Sequence, residues 1–237
     1  MKVRRPVSDT PRSLVRICHR LAAEGYVVAT DGNVSFRKRD GNIVTTRSGV
    51  RKESVKARDL VTLAPTGGVK PGHGKPSTEI GMHLFVYRER PDVHAVVHAH
   101  PLHATAFAAA RLALDQPLLP EVIVTIGRVP LAAYATPSTP EVARSLVPFV
   151  HETDAILLTN HVVVTFGTTL EEAFQRMERV EHVARVTFLA RMLGGEKPLT
   201  KSELKRLCAV SERSYGMRIR ENVGAGQGKG RKQSRRS

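Results

Sequence analysis

The fold of this chain is decided by a stretch in which a helix, a strand and a second helix follow one another: KPSTEIGMHLFVYRERPDVHAVVHAHPLHATAF (75–107). Apolar residues recur at helical spacing over 77–88, and Pro91 lies beyond the predicted end of that helix. The run Val93–Val97 predicts a buried strand, and an alanine-rich helix follows over about 101–111. This alternation predicts helices packed against a central sheet.

Helices and short β-rich runs alternate along the rest of the chain as well. The patterns predict further helices from Pro11 to Gly25, from Ser138 to about Val150, from Thr168 to Leu193 and from about Ser202. They predict further strands at Tyr26–Val28, Val34–Arg37, Ile43–Thr46, Leu60–Leu63, Val122–Ile126, Ala155–Leu158 and Val162–Phe166. Because no internal repeat or shift in composition divides the chain, we expect one α/β domain of helices layered on a central sheet.

Length and composition are those of an ordinary globular protein. The chain has 237 residues, of which 41% are hydrophobic and 25% charged, so it needs no disulfide or metal merely to fold. Aromatic residues make up 5%, which argues against recognition of nucleic-acid bases by stacking. The two cysteines form no disulfide pattern, and we find no leader-like or membrane-spanning stretch, so we expect a cytoplasmic protein.

The chain is strongly basic, with a net charge of +15. The last fourteen residues, 224–237, contain five lysines and arginines and no acid, so we predict a disordered basic tail after a domain spanning 1–223. The charge leaves three interpretations open. The positive charge can bind nucleic acid in a nucleic-acid-binding or scaffold protein, it can be ordinary solvated surface charge, or it can attract an anionic substrate to its site.

Three histidines and one glutamate stand at predicted strand or helix ends. His98 and His100 are two residues apart, so their imidazoles share one face of a strand. His161 follows a later apolar strand, and Glu79 lies in the first turn of a helix. Together they would make a plausible tetrahedral zinc site. The alternatives are a hydrogen-bonded histidine pair, a turn residue at 161 and a helix-capping acid at 79.

Short turns rich in glycine and hydroxyl groups accompany these residues. Ser77 and Thr78 open a helix, where unpaired N–H groups attract phosphate. The turns Gly32–Ser35 and Thr46–Gly49 are of the kind that form anion-binding nests. Each signal is common in proteins, and together they favour an anionic substrate.

Taken in order, these segments resemble the class II aldolase/adducin family, and most closely its fuculose-phosphate aldolase branch. The resemblance covers about residues 10–220. It is carried by the stretch 75–107 quoted above and by DGNVSFR (31–37), TRSGV (46–50), PLAAYATPST (130–139), AILLTNHVVV (155–164) and SYGMRI (214–219). It implies a three-layer α/β/α fold whose central sheet is mixed and largely antiparallel.

The resemblance also implies a zinc-type lyase, with cobalt or manganese as alternative metals. The metal ligands would be His98, His100, His161 and Glu79. Glu79 would also act as the catalytic acid/base, while Tyr215 would reach a neighbouring subunit and handle the aldehyde-side proton. The substrate phosphate would lie among Gly32, Asn33, Ser48, Gly49, Ser77 and Thr78. Members of the family are usually homotetramers with sites at subunit interfaces.

The activity that the resemblance implies is cleavage of a ketose 1-phosphate, such as fuculose 1-phosphate or a similar deoxy-ketose 1-phosphate, to dihydroxyacetone phosphate and an aldehyde. Alternatives within the family are methylthioribulose-1-phosphate dehydratase, sugar-acid phosphate decarboxylase and ribulose-phosphate 4-epimerase. The epimerases carry Asp where this chain has Glu79, which favours an aldolase. With the metal residues intact, we expect a phosphorylated sugar as the partner, and neither a membrane nor a nucleic acid.

Two departures from the family pattern concern the site. Val162 stands where the family has glycine, and a β-branched residue there would be strained if the backbone needed a positive φ. The run Pro120–Ile123 lacks a tyrosine, and Pro137 stands where the fuculose-phosphate branch has an aromatic residue. The aldehyde half of the site therefore differs, and the sugar need not be fuculose.

Overall fold

The computed structural model describes residues 9–72 and 74–215. The predicted tail 224–237 and most of the motif 214–219 lie outside the described residues, so the domain boundary at 223 stays a prediction. The helices are α1 (Pro11–Ala23), α2 (Ile80–Glu89), α3 (Leu102–Ala109), α4 (Pro120–Thr125), α5 (Pro140–Leu146), α6 (Leu170–Met192) and α7 (Lys201–Tyr215). The strands are β1 (Asn33–Arg37), β2 (Ile43–Thr46), β3 (Leu60–Leu63), β4 (Ala95–Ala99), β5 (Leu131–Ala132), β6 (Ala155–Leu158) and β7 (Val163–Gly167).

The seven strands form one sheet in the order β3-β2-β1-β4-β7-β6-β5. All neighbours are antiparallel except β5 and β6, which are parallel. The expectation of a mixed, largely antiparallel sheet is confirmed. Strand β4 lies in the centre, where His98 is opposite Asn33 of β1 on one side and Val164 of β7 on the other.

Helices cover both faces of this sheet, which confirms the three-layer α/β/α fold. Along β4, Ala95, Val97 and Ala99 are buried against α1, α3, α4 and α6. Val96 points to the opposite face, where α2 and α5 complete a second core. Because side chains alternate along a strand, His98 lies on the α2 side of the sheet. The α2 side is therefore where the site must be assembled.

Helices α1 and α6 each begin at a threonine that caps the helix. The Thr10 side chain accepts a hydrogen bond from Ser13 N at the start of α1, at 3.1 Å. Thr169 accepts one from Glu172 N at the start of α6, also at 3.1 Å. These caps satisfy N–H groups that the first helical turn leaves unpaired.

Two predicted strands are wrong. The run Val122–Ile126 lies mostly within helix α4, because Pro120 occupies its first turn and a short apolar run does not distinguish a buried helix from a strand. The run Tyr26–Val28 forms no strand, although the Tyr26 carbonyl accepts a hydrogen bond from His100 N at 2.7 Å. None of the helices in the described ranges is long and apolar enough to cross a membrane.

Candidate active site

Three imidazoles converge where β4 ends beside the β6–β7 hairpin. His98 and His100 lie two residues apart along the chain, and His161 lies in the turn between β6 and β7. The ring centre of His98 is 5.0 Å from that of His161 and 5.6 Å from that of His100. One potential ligand nitrogen of each ring lies within 4.8 Å of the other two. The sheet therefore brings together the three predicted metal-binding histidines.

The orientation of the buried His98 ring is fixed by the neighbouring strand. Its Nδ1 lies 3.0 Å from the Val163 carbonyl oxygen, which can only accept, so Nδ1 donates the hydrogen bond. In the neutral ring, Nε2 then carries a lone pair. Among the described residues this buried Nε2 has no hydrogen-bond partner. Such an imidazole, held through its other nitrogen, is the usual form of a metal-binding histidine.

Glu79 reaches into the imidazole cluster from the N-terminus of α2. One carboxylate oxygen, Oε2, lies 3.0 Å from His98 Nε2, and Oε1 lies 3.3 Å from His161 Nε2. Asn33 Nδ2 donates to Oε2 at 3.2 Å, so β1 helps to hold the carboxylate. Glu79 Oε1 is buried and has no hydrogen-bond partner in the described part of the chain.

Burial and the neighbouring groups set the charge of this cluster. Burial, helped by the His98 ring, lowers the pKa of His100 to about 3 and that of His161 to about 4. Burial alone would raise the pKa of Glu79, but the imidazoles of His98 and His161 outweigh it and lower this pKa to about 2. Near neutral pH, His100 and His161 are therefore neutral and Glu79 is ionised.

This set of donors fits a divalent cation. His98 Nε2 faces Glu79 Oε2 and His161 Nε2 faces Glu79 Oε1, and within the described residues neither His98 Nε2 nor Glu79 Oε1 has a hydrogen-bond partner. Electron-rich atoms that face one another in a buried place are stabilised by a shared cation. Three neutral imidazoles and one carboxylate are a set that zinc accepts.

A cavity of about 260 Å³ opens in front of Glu79, His100 and His161. All six predicted phosphate-binding residues line it: Gly32, Asn33, Ser48, Gly49, Ser77 and Thr78. Two backbone hydrogen bonds bring the last four together, from Ser48 N to the Lys75 carbonyl and from Ser77 N to the Thr46 carbonyl. The structure thus places the predicted hydroxyl and glycine turns on one wall beside the imidazole cluster.

Gly32 allows this wall to pass close to β4. Its φ is +71°, and a Cβ atom there would lie 2.8 Å from the His98 carbonyl oxygen. Gly25 has nearly the same φ, +70°, but a Cβ atom there would meet no atom within 4 Å. Only at position 32 does a side chain both strain the backbone and push against the strand that carries the imidazoles.

We expect Gly32→Ala to lower the free energy of unfolding clearly more than Gly25→Ala. The positive φ should cost about 1 kcal/mol in both variants, and the clash at position 32 adds to it. Chemical denaturation of the two variants beside the unmodified protein measures the difference. Equal destabilisation would show that the approach of Gly32 to His98 is not tight.

Val162 is not strained. The residue with left-handed backbone in this turn is Asn160, whose φ is +52°, a conformation that asparagine tolerates. Val162 is instead buried, with 1% of its surface exposed, and Leu158 N donates to its carbonyl oxygen. The condition for strain at Val162, a positive φ, is therefore not met. Tyr215 is the last residue of α7, and its side chain lies outside the described part of the structure.

A second buried histidine lies one turn along α2 from Glu79. His83 is fully buried, and its Nδ1 lies 2.7 Å from Ser35 Oγ, which is also 2.7 Å from the Tyr87 hydroxyl. Burial, helped by the neighbouring His98 ring, lowers the pKa of His83 to about 3. Its hydrogen bond thus goes to β1 rather than to Glu79.

Sequence reasoning missed several residues that line the cavity. Asp31 lies beside the metal candidates, with its Oδ2 3.8 Å from His100 Nδ1. Lys52 also lines the cavity, although it is almost completely buried. Asp31 could have been found from its position beside the Gly32 turn. A buried lysine has no comparable signal, because lysines are nearly always exposed.

A family model described as the class II aldolase and adducin N-terminal domain matches residues 12–188. A 3-oxo-tetronate 4-phosphate decarboxylase of Escherichia coli K12 is 33% identical over 202 residues, covering 82% of this chain and 92% of that protein. An L-fuculose phosphate aldolase of Methanococcus maripaludis is 32% identical over 178 residues, which cover 75% of this chain and 95% of that protein. The crystal structure of Escherichia coli YgbL, described as an aldolase, epimerase or decarboxylase, is similar to this fold with a TM-score of 0.77 and 30% sequence identity. The match covers 83% of this chain and 96% of that chain.

Proposed function

Because the chain belongs to the class II aldolase and adducin family, we propose that it is a metal-dependent lyase that cleaves a ketose 1-phosphate to dihydroxyacetone phosphate and an aldehyde. Fuculose 1-phosphate, or a deoxy-ketose 1-phosphate of similar shape, is the proposed substrate. The observation that carries this proposal is the position of Glu79. Its carboxylate faces two imidazoles and also lines the cavity whose wall can hold a phosphate.

Cleavage of a ketose 1-phosphate needs a group that moves a proton. The bond between C3 and C4 breaks, its electron pair stays on the three-carbon fragment, and the C4 hydroxyl loses its proton as the aldehyde forms. Because Glu79 is ionised and lies close to the imidazoles, it is proposed to accept the proton that leaves the C4 hydroxyl and then to return that proton to C3, which balances the step. Asn33 holds one carboxylate oxygen and so orients Glu79 for this transfer.

His98, His100 and His161 are the proposed ligands of a divalent metal, with zinc as the first choice. When bound, such an ion supplies positive charge that stabilises the negative oxygens formed as the bond breaks. The hydroxyls and N–H groups of Ser48, Gly49, Ser77 and Thr78 are proposed to bind the phosphate. Binding energy from this remote group can orient the substrate for cleavage.

A second candidate is decarboxylation of a phosphorylated 3-oxo sugar acid. It is favoured by the similarity to the Escherichia coli decarboxylase. Loss of carbon dioxide from such an acid also leaves an electron pair on a carbon next to a carbonyl group. The same proton donor and the same phosphate wall serve both reactions, so the two candidates differ in the substrate and not in the machinery.

A substrate panel separates the two candidates. Protein loaded with zinc, cobalt or manganese is incubated with ketose 1-phosphates and with phosphorylated 3-oxo sugar acids. We expect dihydroxyacetone phosphate from the first group. Release of carbon dioxide from the second group alone would replace the aldolase with the decarboxylase. The His98→Ala variant is the control, and product that it forms equally well would refute a reaction at this site.

Three further parts of the proposal concern the whole protein. We propose a homotetramer with sites at subunit interfaces, in which Tyr215 serves the site of a neighbour. The proposal also places the protein in the cytoplasm. Sedimentation analysis of the full chain tests the oligomeric state, and Tyr215→Phe should lower turnover without changing that state.

A further inference from the structure

Lys52 is a buried cation that the proposed chemistry has not used. Only 2% of its surface is exposed. Its Nζ donates to the Thr30 carbonyl at 2.8 Å and to the Val50 carbonyl at 3.1 Å. Thr30 lies two residues before Gly32 and Val50 directly follows Gly49, so the ammonium group lies beside the two turns that contribute Gly32, Asn33, Ser48 and Gly49 to the cavity wall. Lys52 itself lines the cavity.

The positive charge of Lys52 lacks a bonded counter-charge. Across residues 9–72 and 74–215, no carboxylate forms an ion pair with it. The nearby Cys18 thiol is fully buried, and burial raises its pKa to about 12, so it stays neutral. Asp31 attracts the ammonium group without contacting it, and burial lowers the pKa of Lys52. Leaving a buried charge unpaired costs free energy.

We propose that Lys52 is a specificity-determining residue whose ammonium group pairs with the phosphate of the substrate. An ammonium group has three N–H donors, and two of them bind backbone carbonyls. The third is available to an oxygen in the cavity that Ser48 and Gly49 also line. This inference rests on the proposed function, because it assumes that the cavity receives a phosphorylated substrate.

The consequence is discrimination by charge. A phosphate dianion supplies the counter-charge that Lys52 lacks, whereas a sugar without phosphate leaves the buried ammonium unpaired. Removing the charge should therefore raise KM for the phosphorylated substrate and leave kcat nearly unchanged. The loss should be at least about 10-fold in affinity, which is the range for a hydrogen bond to a charged group.

The experiment measures binding of inorganic phosphate to the full chain by thermal unfolding, so it does not depend on which sugar is cleaved. We expect phosphate to raise the Tm of the unmodified protein more than chloride does at the same ionic strength. Lys52→Met should lose most of this increase, and Lys52→Arg should keep part of it. Lys70→Met removes an exposed lysine and should respond as the unmodified protein does.

Each outcome decides a different question. Equal stabilisation of Lys52→Met and the unmodified protein would overturn the role of Lys52 and leave the proposed function intact. Absence of phosphate stabilisation in the unmodified protein would overturn the phosphate wall, and with it both proposals. If Lys52→Met does not fold, Lys52→Gln replaces it, because glutamine retains a donor for the backbone carbonyls without the charge.

Discussion

Replacing Glu79 with glutamine is expected to lower kcat by about 10²- to 10⁴-fold, the usual contribution of a positioned proton-transfer group. Glutamine has the size of glutamate and can still lie against His98 and His161. It lacks the basicity that would let it accept a proton and return it. Because the three imidazoles remain, the protein should keep its bound metal and its Tm.

The measurement is steady-state turnover of the substrate that the panel selects, together with metal content and Tm. Glu89→Gln is a matched control, since Glu89 lies on the same helix, α2, and lies outside the cavity. Near-normal kcat in Glu79→Gln would remove Glu79 from the proton-transfer role. Loss of metal along with activity would instead make Glu79 chiefly a ligand, and the imidazoles alone insufficient.

The part of this site that could be predicted from the sequence depends on short, regular elements. His98 and His100 had to share a face, because side chains alternate along an extended strand. The predicted starts of α1, at Pro11, and of α6, at Thr168, lie within two residues of those in the structure. The turn Gly32–Ser35 could be recognised from its glycine and hydroxyl residues, whereas the close approach of Gly32 to His98 is visible only in the structure.

The rest depends on tertiary packing that no local pattern records. The run Val122–Ile126 is β-branched and apolar, yet most of it is helical because it packs into a core shared with α6 and α1. Lys52 is buried because the fold brings together the segments around Thr30 and Val50, which are distant from each other in sequence. The pairing of Thr46–Ser48 with Lys75–Ser77 is also long-range. The sequence therefore predicted the individual turns of the phosphate wall but not that they form one surface.

Removing a metal-binding histidine is expected to weaken zinc binding strongly. We expect His98→Ala to bind zinc more than about 100-fold less tightly, since loss even of a group supporting a metal ligand typically costs 10–100-fold. His98 is the most buried of the three imidazoles, and in the described structure its Nε2 faces Glu79 Oε2 and has no hydrogen-bond partner. Its Nδ1 hydrogen bond to Val163 also disappears in the variant, which should lower Tm somewhat.

Metal binding is read out in two independent ways. Competition with a chromophoric chelator gives the zinc affinity. Thermal unfolding gives the stabilisation by zinc, about 2.7 kcal/mol when zinc is at 100 times its Kd. His94→Ala is the matched control, because His94 lies four residues earlier in the same segment and is exposed. It should keep both the affinity and the stabilisation.

The position of His161 keeps this prediction testable if His98→Ala does not fold. His161 lies in the hairpin turn with 12% of its side chain exposed, so His161→Ala removes a ligand without emptying the core. It should also lose most of the zinc-dependent rise in Tm. Full zinc occupancy in both variants would mean that neither His98 nor His161 is needed to hold the ion, so that the zinc is bound elsewhere in the protein. The approach of Glu79 to His98 and His161 would then be an ordinary buried polar contact rather than a metal site.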